Sequence, residues 1–374
     1  MTFPDTKASL RTDESFRLML DADHHMALSP LSELNIGLVS QFPLDYMHMV
    51  CLGVVRRLLN LWLRGPRHVR LSSNQAKVIS DEMTSFQAHF PVEFSRKPRS
   101  LVEINNWKAT EFREFLLYTG PVVMKGKVSE DIYANFLRLS VAMRLLLSPK
   151  LAADYSDYCG KLLLCFVKSF SQLHGTEEVV YNVHSLLHIH QDAQRFGALD
   201  NISAFPFESY LGRLKKLVRK PQYPLQQVCR RLTEINKRHC CHRDQEKKAQ
   251  CLKAHMRGPL PLEYRNCLQL REYRGNSYLC CTTGNDCCII HNHIGLVRNI
   301  LLHTATQQVF IAFERFEKHE PFFLSPLSSD RLSIFFVQQL SGTVEVFPVS
   351  EVTTKCVLLP YRNNFVCFPL LHYK

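Results

Sequence analysis

Apolar residues at Met47, Val50, Cys51, Val54, Val55, Leu58, Leu59 and Trp62 recur at i, i+3 and i+4, the spacing of a helix that buries one face. Gly65 and Pro66 end it. Just upstream, NIGLVSQFPLD predicts a short apolar strand from Ile36 that closes at Pro43–Asp45. Residues 1–35 are polar and turn-rich, with a helix start signalled at Ser29 or Ser32. Helices are predicted over Leu71–Phe90, Asn106–Tyr118, Ser129–Leu147 and Ala152–His174, the third opening on a cap at Ser129. His184–His190 continues the helical texture until Gly197. A further helix opens near Pro206, breaks at Pro221 and Pro224, and resumes over Leu225–Asn236. Residues 237–265 read as a basic linker. From Asn266, runs such as CCIIH, QVFIAFERF and TVEVFPV alternate with turns, which predicts antiparallel strands. The fold class expected is α+β, mostly helical, with a small C-terminal antiparallel β domain.

Composition narrows the partners. The chain has 374 residues, 46% of them hydrophobic, enough for one large core or two ordinary ones. The formal charge of +12 favours a polyanion, either nucleic acid or an anionic membrane surface. No stretch supplies the ~18 apolar residues of a membrane span. The best candidate, Met47–Leu63, is interrupted by His48, Arg56, Arg57 and Asn60. The N-terminus has no apolar segment of the secretory kind. Cys51, Cys159 and Cys165 sit on apolar faces, so the cysteines read as reduced, buried thiols and the expected address is nuclear or cytoplasmic.

Four sets of residues are candidates for chemistry. Asp45 stands where an apolar run meets a helix, a place from which a carboxylate can hold Mg²⁺, with His48 one turn on to brace it. Asp is also a favoured helix N-cap, and the two roles are compatible. Glu208 opens a helix whose cations Arg213, Lys215, Lys216, Arg219 and Lys220 are followed by Arg230 and Arg231, a distribution suited to phosphates. The plainer alternatives are a first-turn acid favoured by the helix dipole and a solvated basic face. His184, His188 and His190 have metal-ligand spacing but lack the glutamate of HExxH, so packed core histidines are favoured. Cys280, Cys281, Cys287, Cys288, His291 and His293 lack a paired C-x-x-C, and structural zinc is disfavoured. No P-loop, GxGxxG or GxSxG occurs.

The ordered segments FPLDYMHMVCLGVVRRLL, WKATEFREFLLYTGPVV and NVHSLLHIHQDAQRFGALDNISAFPFESYLGRLKKLVRK resemble CACTA-type (En/Spm-like) transposases of animal genomes. The resemblance runs over residues 5–235, and the β-rich tail is similar to the C-terminal extension of such proteins. It implies a ribonuclease-H-like DDE enzyme in which two Asp and one Glu hold two divalent ions, Mg²⁺ or Mn²⁺, for in-line attack on a phosphodiester. By resemblance Asp45, with His48 in its D-x-x-H context, matches the second Asp, and Glu208 matches the Glu. Helices over residues 60–190 match the family's helical insertion. Asp21 and Asp23 lie too close to Asp45 for the three strands and helix that normally intervene. The first Asp and its leading strands are therefore expected to be absent, and the metal site incomplete.

The resulting expectation is a remnant N-terminus over 1–35, a partial transposase core over 36–236, a linker over 237–265 and a β domain over 266–374. Its function would be DNA binding by a catalytically incomplete transposase, with a second copy or other transposase-derived proteins as further partners and no membrane. Two rivals remain: an active nuclease that recruits Asp21, Asp23 or Glu33, and a protein-interaction scaffold.

Overall fold

A computed structural model describes residues 1–240, 250–275 and 277–371. It is an α+β structure, about 45% helical, with a C-terminal antiparallel sheet. Helix is thus the largest share of the chain without being most of it. The chain divides into two compact units: one of Met1–Ala76, Trp107–Leu117 and Lys125–Ala204, the other of Lys77–Asn106, Tyr118–Met124 and the chain from Phe205.

The first unit is helical. The predicted helix at Met47 forms, first as a wide π-type helix over Met47–Val55 and then as an α-helix over Arg56–Arg64. Met47, Met49, Val50, Cys51, Val54 and Val55 are all buried, because helices Ala109–Glu114 and Tyr181–Ser185 pack on it. Gly53 permits one of these approaches, since a Cβ there would stand 2.6 Å from Asn182 Nδ2. Helices Glu130–Leu147 and Ser156–His174 lie against each other, and Asn135 Nδ2 donates to the Phe166 carbonyl at 3.0 Å. A second π-type turn, Phe115–Thr119, has buried carbonyls that accept from the other helices. Ser140 Oγ donates to Leu116 O at 2.7 Å and Arg144 Nη1 to Leu117 O at 2.8 Å, so these acceptors are satisfied away from water.

The strand expected over 36–45 does not form; these residues are turns and irregular chain. The cause is a competing acceptor. Asp13 Oδ1 takes the Val39 and Ser40 amides at 2.7 and 2.9 Å, and its Oδ2 takes the Ser40 hydroxyl at 2.6 Å. Amides bound to a side chain are withdrawn from a ladder. Among the described residues no strand precedes Gln250, so the sheet expected beside Asp45 is missing there.

The second unit is built on strands β1 (Gln250–Ala254), β2 (Cys267–Arg274), β3 (Tyr278–Cys280), β4 (Cys287–Ile290), β5 (His293–His303), β6 (Val309–Pro321), β7 (Phe335–Leu340), β8 (Glu345–Pro348), β9 (Val352–Tyr361) and β10 (Asn364–Pro369). β1 lies inside the segment expected to be linker, whose residues 241–249 are outside the described ones. All pairings are antiparallel. The order β5-β4-β9-β10-β7-β6 returns to β5 through the β5–β6 pairing, so six strands close into a barrel without free edges. β1, β2, β3 and β8 extend the sheet beyond the ring. Alternation along each strand sorts side chains to two faces. Cys287, Ile289, Ile294, Leu296, Phe316, Val337, Cys356, Leu358 and Cys367, drawn from all six strands, form one cluster inside. Leu270, Leu279, Cys288, Ile290, Val297, Ile300, Ile311 and Phe313 form another on the opposite face.

One buried charge organises the outer face. Lys355 of β9 is fully buried. Its Nζ donates to Glu93 Oε1 and Oε2 at 3.0 and 2.8 Å, to Asn285 Oδ1 at 2.8 Å and to Tyr278 O at 2.6 Å. Burial pushes its pKa down, and Glu93 opposes that shift. Gly284 lies close by at φ +89°, and a Cβ there would meet the Ala88 carbonyl at 2.7 Å. Removing one partner of such a pair strands the other charge. Lys355→Met is therefore expected to destabilise this unit by roughly 3–5 kcal/mol, and Lys355→Met with Glu93→Leu to recover most of it. Urea unfolding of the three proteins checks this; equal stability of wild type and Lys355→Met would show the network to be dispensable.

Candidate nucleic-acid interface

The basic segment forms two consecutive helices, Phe205–Leu217 and Pro224–Cys240, that contact each other. The sequence dictates the break. Pro221 and Pro224 cannot donate within a helix, and Tyr223 turns the chain at φ +52°. Gln227 holds the turn: its Oε1 accepts from the Arg219 and Lys220 amides at 3.0 and 3.2 Å, and its Nε2 donates to Lys220 O and Gln222 O at 2.9 and 2.6 Å. The hairpin is thus a defined shape and not a loose charge run.

The first helix buries none of its residues. Arg213, Lys215, Lys216, Arg219, Lys220 and Arg230 are exposed, and Arg231 is half-buried. Arg230 and Arg231 both bond Glu234, at 3.2 and 3.1 Å, which removes part of their charge from any ligand. The five remaining cations lie on the first helix and its turn. Apolar groups interleave with them: Phe207 is 68% exposed, Tyr223 73% and Leu225 70%, and the Arg213 guanidinium stands 5.3 Å over the Tyr210 ring. Exposed rings among cations are suited to a ligand that carries both phosphate and planar bases.

Asp45 belongs to the helical unit. Its Oδ1 accepts from the Ala204 amide at 2.8 Å and the Met47 amide at 3.1 Å. Its Oδ2 accepts from the His48 amide at 3.0 Å and from the His48 ring Nδ1. A carboxylate offers about four lone-pair sites, and four donors occupy them. The arrangement is that of a helix N-cap with one long-range tie to residue 204. Burial raises the Asp45 pKa, but the hydrogen bonds from Ala204, His48 and Met47 outweigh it and hold the group below its ordinary value. The His48 ring is turned to that carboxylate. Tyr46, next in sequence, is fully buried under Arg113, whose Nη2 meets both Asp200 oxygens at 2.8 and 2.7 Å.

Glu208 is exposed in the first turn of the basic helix and belongs to the second unit. Of the alternative first carboxylates, Asp21 pairs with Arg11, and Asp23 and Glu33 are exposed. Sequence reasoning missed Asp192, whose Oδ2 accepts from the Leu44 amide at 2.8 Å and so helps set the approach to Asp45. No local pattern marks it, because its partner is 148 residues away.

The histidines at 184, 188 and 190 are packing groups. His184 Nδ1 meets Phe3 O at 2.9 Å, and its ring lies 5.5 Å from that of His188. Burial lowers the pKa of His188 and of His190. The set Cys280, Cys281, Cys287, Cys288, His291 and His293 is divided by strand alternation, which sends Cys287 into the barrel and Cys288 to the other face. Cys51 and Cys159 are buried thiols as expected, whereas Cys165 is exposed on the solvent side of its helix. Among the described residues one group has metal-ligand proximity, Cys287, Cys356 and Cys367.

A family model described as a domain of unknown function, DUF8592, matches residues 254–370, less than a third of the chain. No curated protein matches the chain. No solved structure matches it either.

The Asp45 cap has a measurable energy. Asp45→Ala is expected to cost roughly 1–2 kcal/mol in urea unfolding. The folded pKa is depressed, so the contribution is fully present above the unfolded value of about 3.9 and is lost as pH falls through the lower folded value. Asp45→Asn removes that segment of the stability–pH curve. Identical curves for wild type and Asp45→Asn between about pH 5 and 2 would contradict the cap assignment.

Proposed function

We propose that this chain is a transposon-derived DNA-binding protein, a catalytically incomplete relative of DDE transposases, that grips the phosphate backbone with the basic hairpin at 205–237. The observation that carries the reading is the hairpin itself: exposed cations with interleaved aromatic rings on a helix none of whose residues is fully buried. A purely structural helix would bury a face. The net charge of +12 agrees with a polyanionic ligand.

The resemblance to CACTA-type transposases supplies the ancestry, and the helices over residues 60–190 would correspond to the helical insertion of that family. The occupied lone pairs of Asp45 support the non-cutting form of the proposal. A divalent ion would have to displace the His48 ring or a backbone amide before it could bind there. A remnant Mg²⁺ or Mn²⁺ site at Asp45 and Glu208 is accordingly weak on this reading, and binding to DNA is independent of divalent ions.

Salt dependence tests the proposal. Five cations contacting phosphate give a slope of log K against log[salt] of about −4.5, and seven about −6. The expected value lies near the lower figure, because Glu234 holds Arg230 and Arg231. Replacing Lys215, Lys216 and Arg219 together by Gln should flatten the slope by about 2.7. Fluorescence anisotropy with a labelled duplex, in EDTA, reads both numbers. A slope unchanged by the triple substitution would favour the scaffold reading, in which the charge is incidental.

A further inference from the structure

The interior of the barrel holds three thiols that the DNA-binding reading does not use. Cys287 of β4, Cys356 of β9 and Cys367 of β10 come from three adjacent strands of the ring. Each is at most 1% exposed, and their Sγ atoms lie within 4.8 Å of one another. The rest of the cluster is Ile289, Ile294, Leu296, Phe316, Val337 and Leu358, none of which is a metal ligand. The site therefore offers three soft sulfur donors and, among the described residues, no fourth His, Cys, Asp or Glu ligand.

From this donor set we propose that the barrel is a site for a three-coordinate thiophilic cation, Cu(I), bound by Cys287, Cys356 and Cys367. Structural zinc takes four ligands, and three-ligand zinc keeps a water, for which an apolar interior has no partners. Hard cations prefer oxygen, which the cluster does not present. Thiolates select soft ions, Cu(I) among them. Three sulfurs around one ion at about 2.3 Å stand about 4 Å apart in a trigonal plane, so the observed spacing needs a contraction of less than ~1 Å. Binding is a ligand exchange without change of oxidation state: Cu–S bonds form, S–H bonds break, and the protons leave to solvent. Because the strands close around the thiols, the ion is taken up as the barrel folds and is shielded from chelators afterwards.

The test refolds the full chain from guanidinium under anaerobic conditions with Cu(I) supplied as its glutathione complex. The product is then dialysed against a Cu(I) chelator, and copper is counted by mass spectrometry. About one copper per chain should be retained by wild type and by Cys165→Ala, and at least tenfold less by Cys287→Ala, Cys356→Ala or Cys367→Ala. Circular dichroism confirms that each variant has folded. Copper-edge X-ray absorption on the loaded wild type is independent of any variant and should show three sulfurs at about 2.3 Å. A folded wild type that retains no copper overturns the proposal. So do retention unchanged in folded variants, a nitrogen or oxygen ligand at the copper, and zinc held in preference when both ions are offered.

Discussion

The Asp45 carboxylate is where local and long-range order meet in the helical unit. Its two oxygens cap the start of the buried helix at Met47 and take the amide of Ala204, 159 residues further on. That second bond ties residue 204, the last of the helical unit, to the start of that helix. The same saturation that makes it a good structural tie makes it a poor metal ligand, since both roles draw on the same lone pairs.

The β unit rests on a different principle. Antiparallel pairing closes six strands into a ring, which removes the edges that otherwise invite aggregation. Every strand of that ring lies within the stretch matched by the domain of unknown function. Inside, alternation fills the ring with apolar side chains and thiols; outside, the Lys355 network satisfies a buried ammonium with four acceptor contacts. Charge buried in this way specifies one arrangement of neighbours more than it adds stability.

Much of this was legible in the residues. The helix at Met47, the cap at Ser129, the break at Pro221–Pro224 and the antiparallel texture after Asn266 follow from spacing and turn chemistry, which act within a few residues. The cations of the hairpin could be named at once, because exposed charge needs no partner to be recognised. What stayed hidden depends on distant pairing. The apolar run at Ile36 reads as a strand until Asp13 is seen to hold its amides. β1 is five residues long and gains its strand conformation from β2. Cys356 and Cys367 look like unrelated residues of two strands, and the pairing of β4 with β9 and of β9 with β10 brings them to Cys287. From sequence Asp45 was compatible with both a cap and a ligand, and the bond from the Ala204 amide was hidden because that residue is 159 positions away.

The claim at the centre is that this chain holds DNA without cutting it. Supercoiled plasmid incubated with the purified chain in Mn²⁺, then stripped of protein and run on agarose, tests it most directly. The account requires plasmid that is retarded before stripping and remains supercoiled after it. Nicked circles that appear in Mn²⁺, vanish in EDTA and are lost in both Asp45→Asn and Glu208→Gln would contradict it.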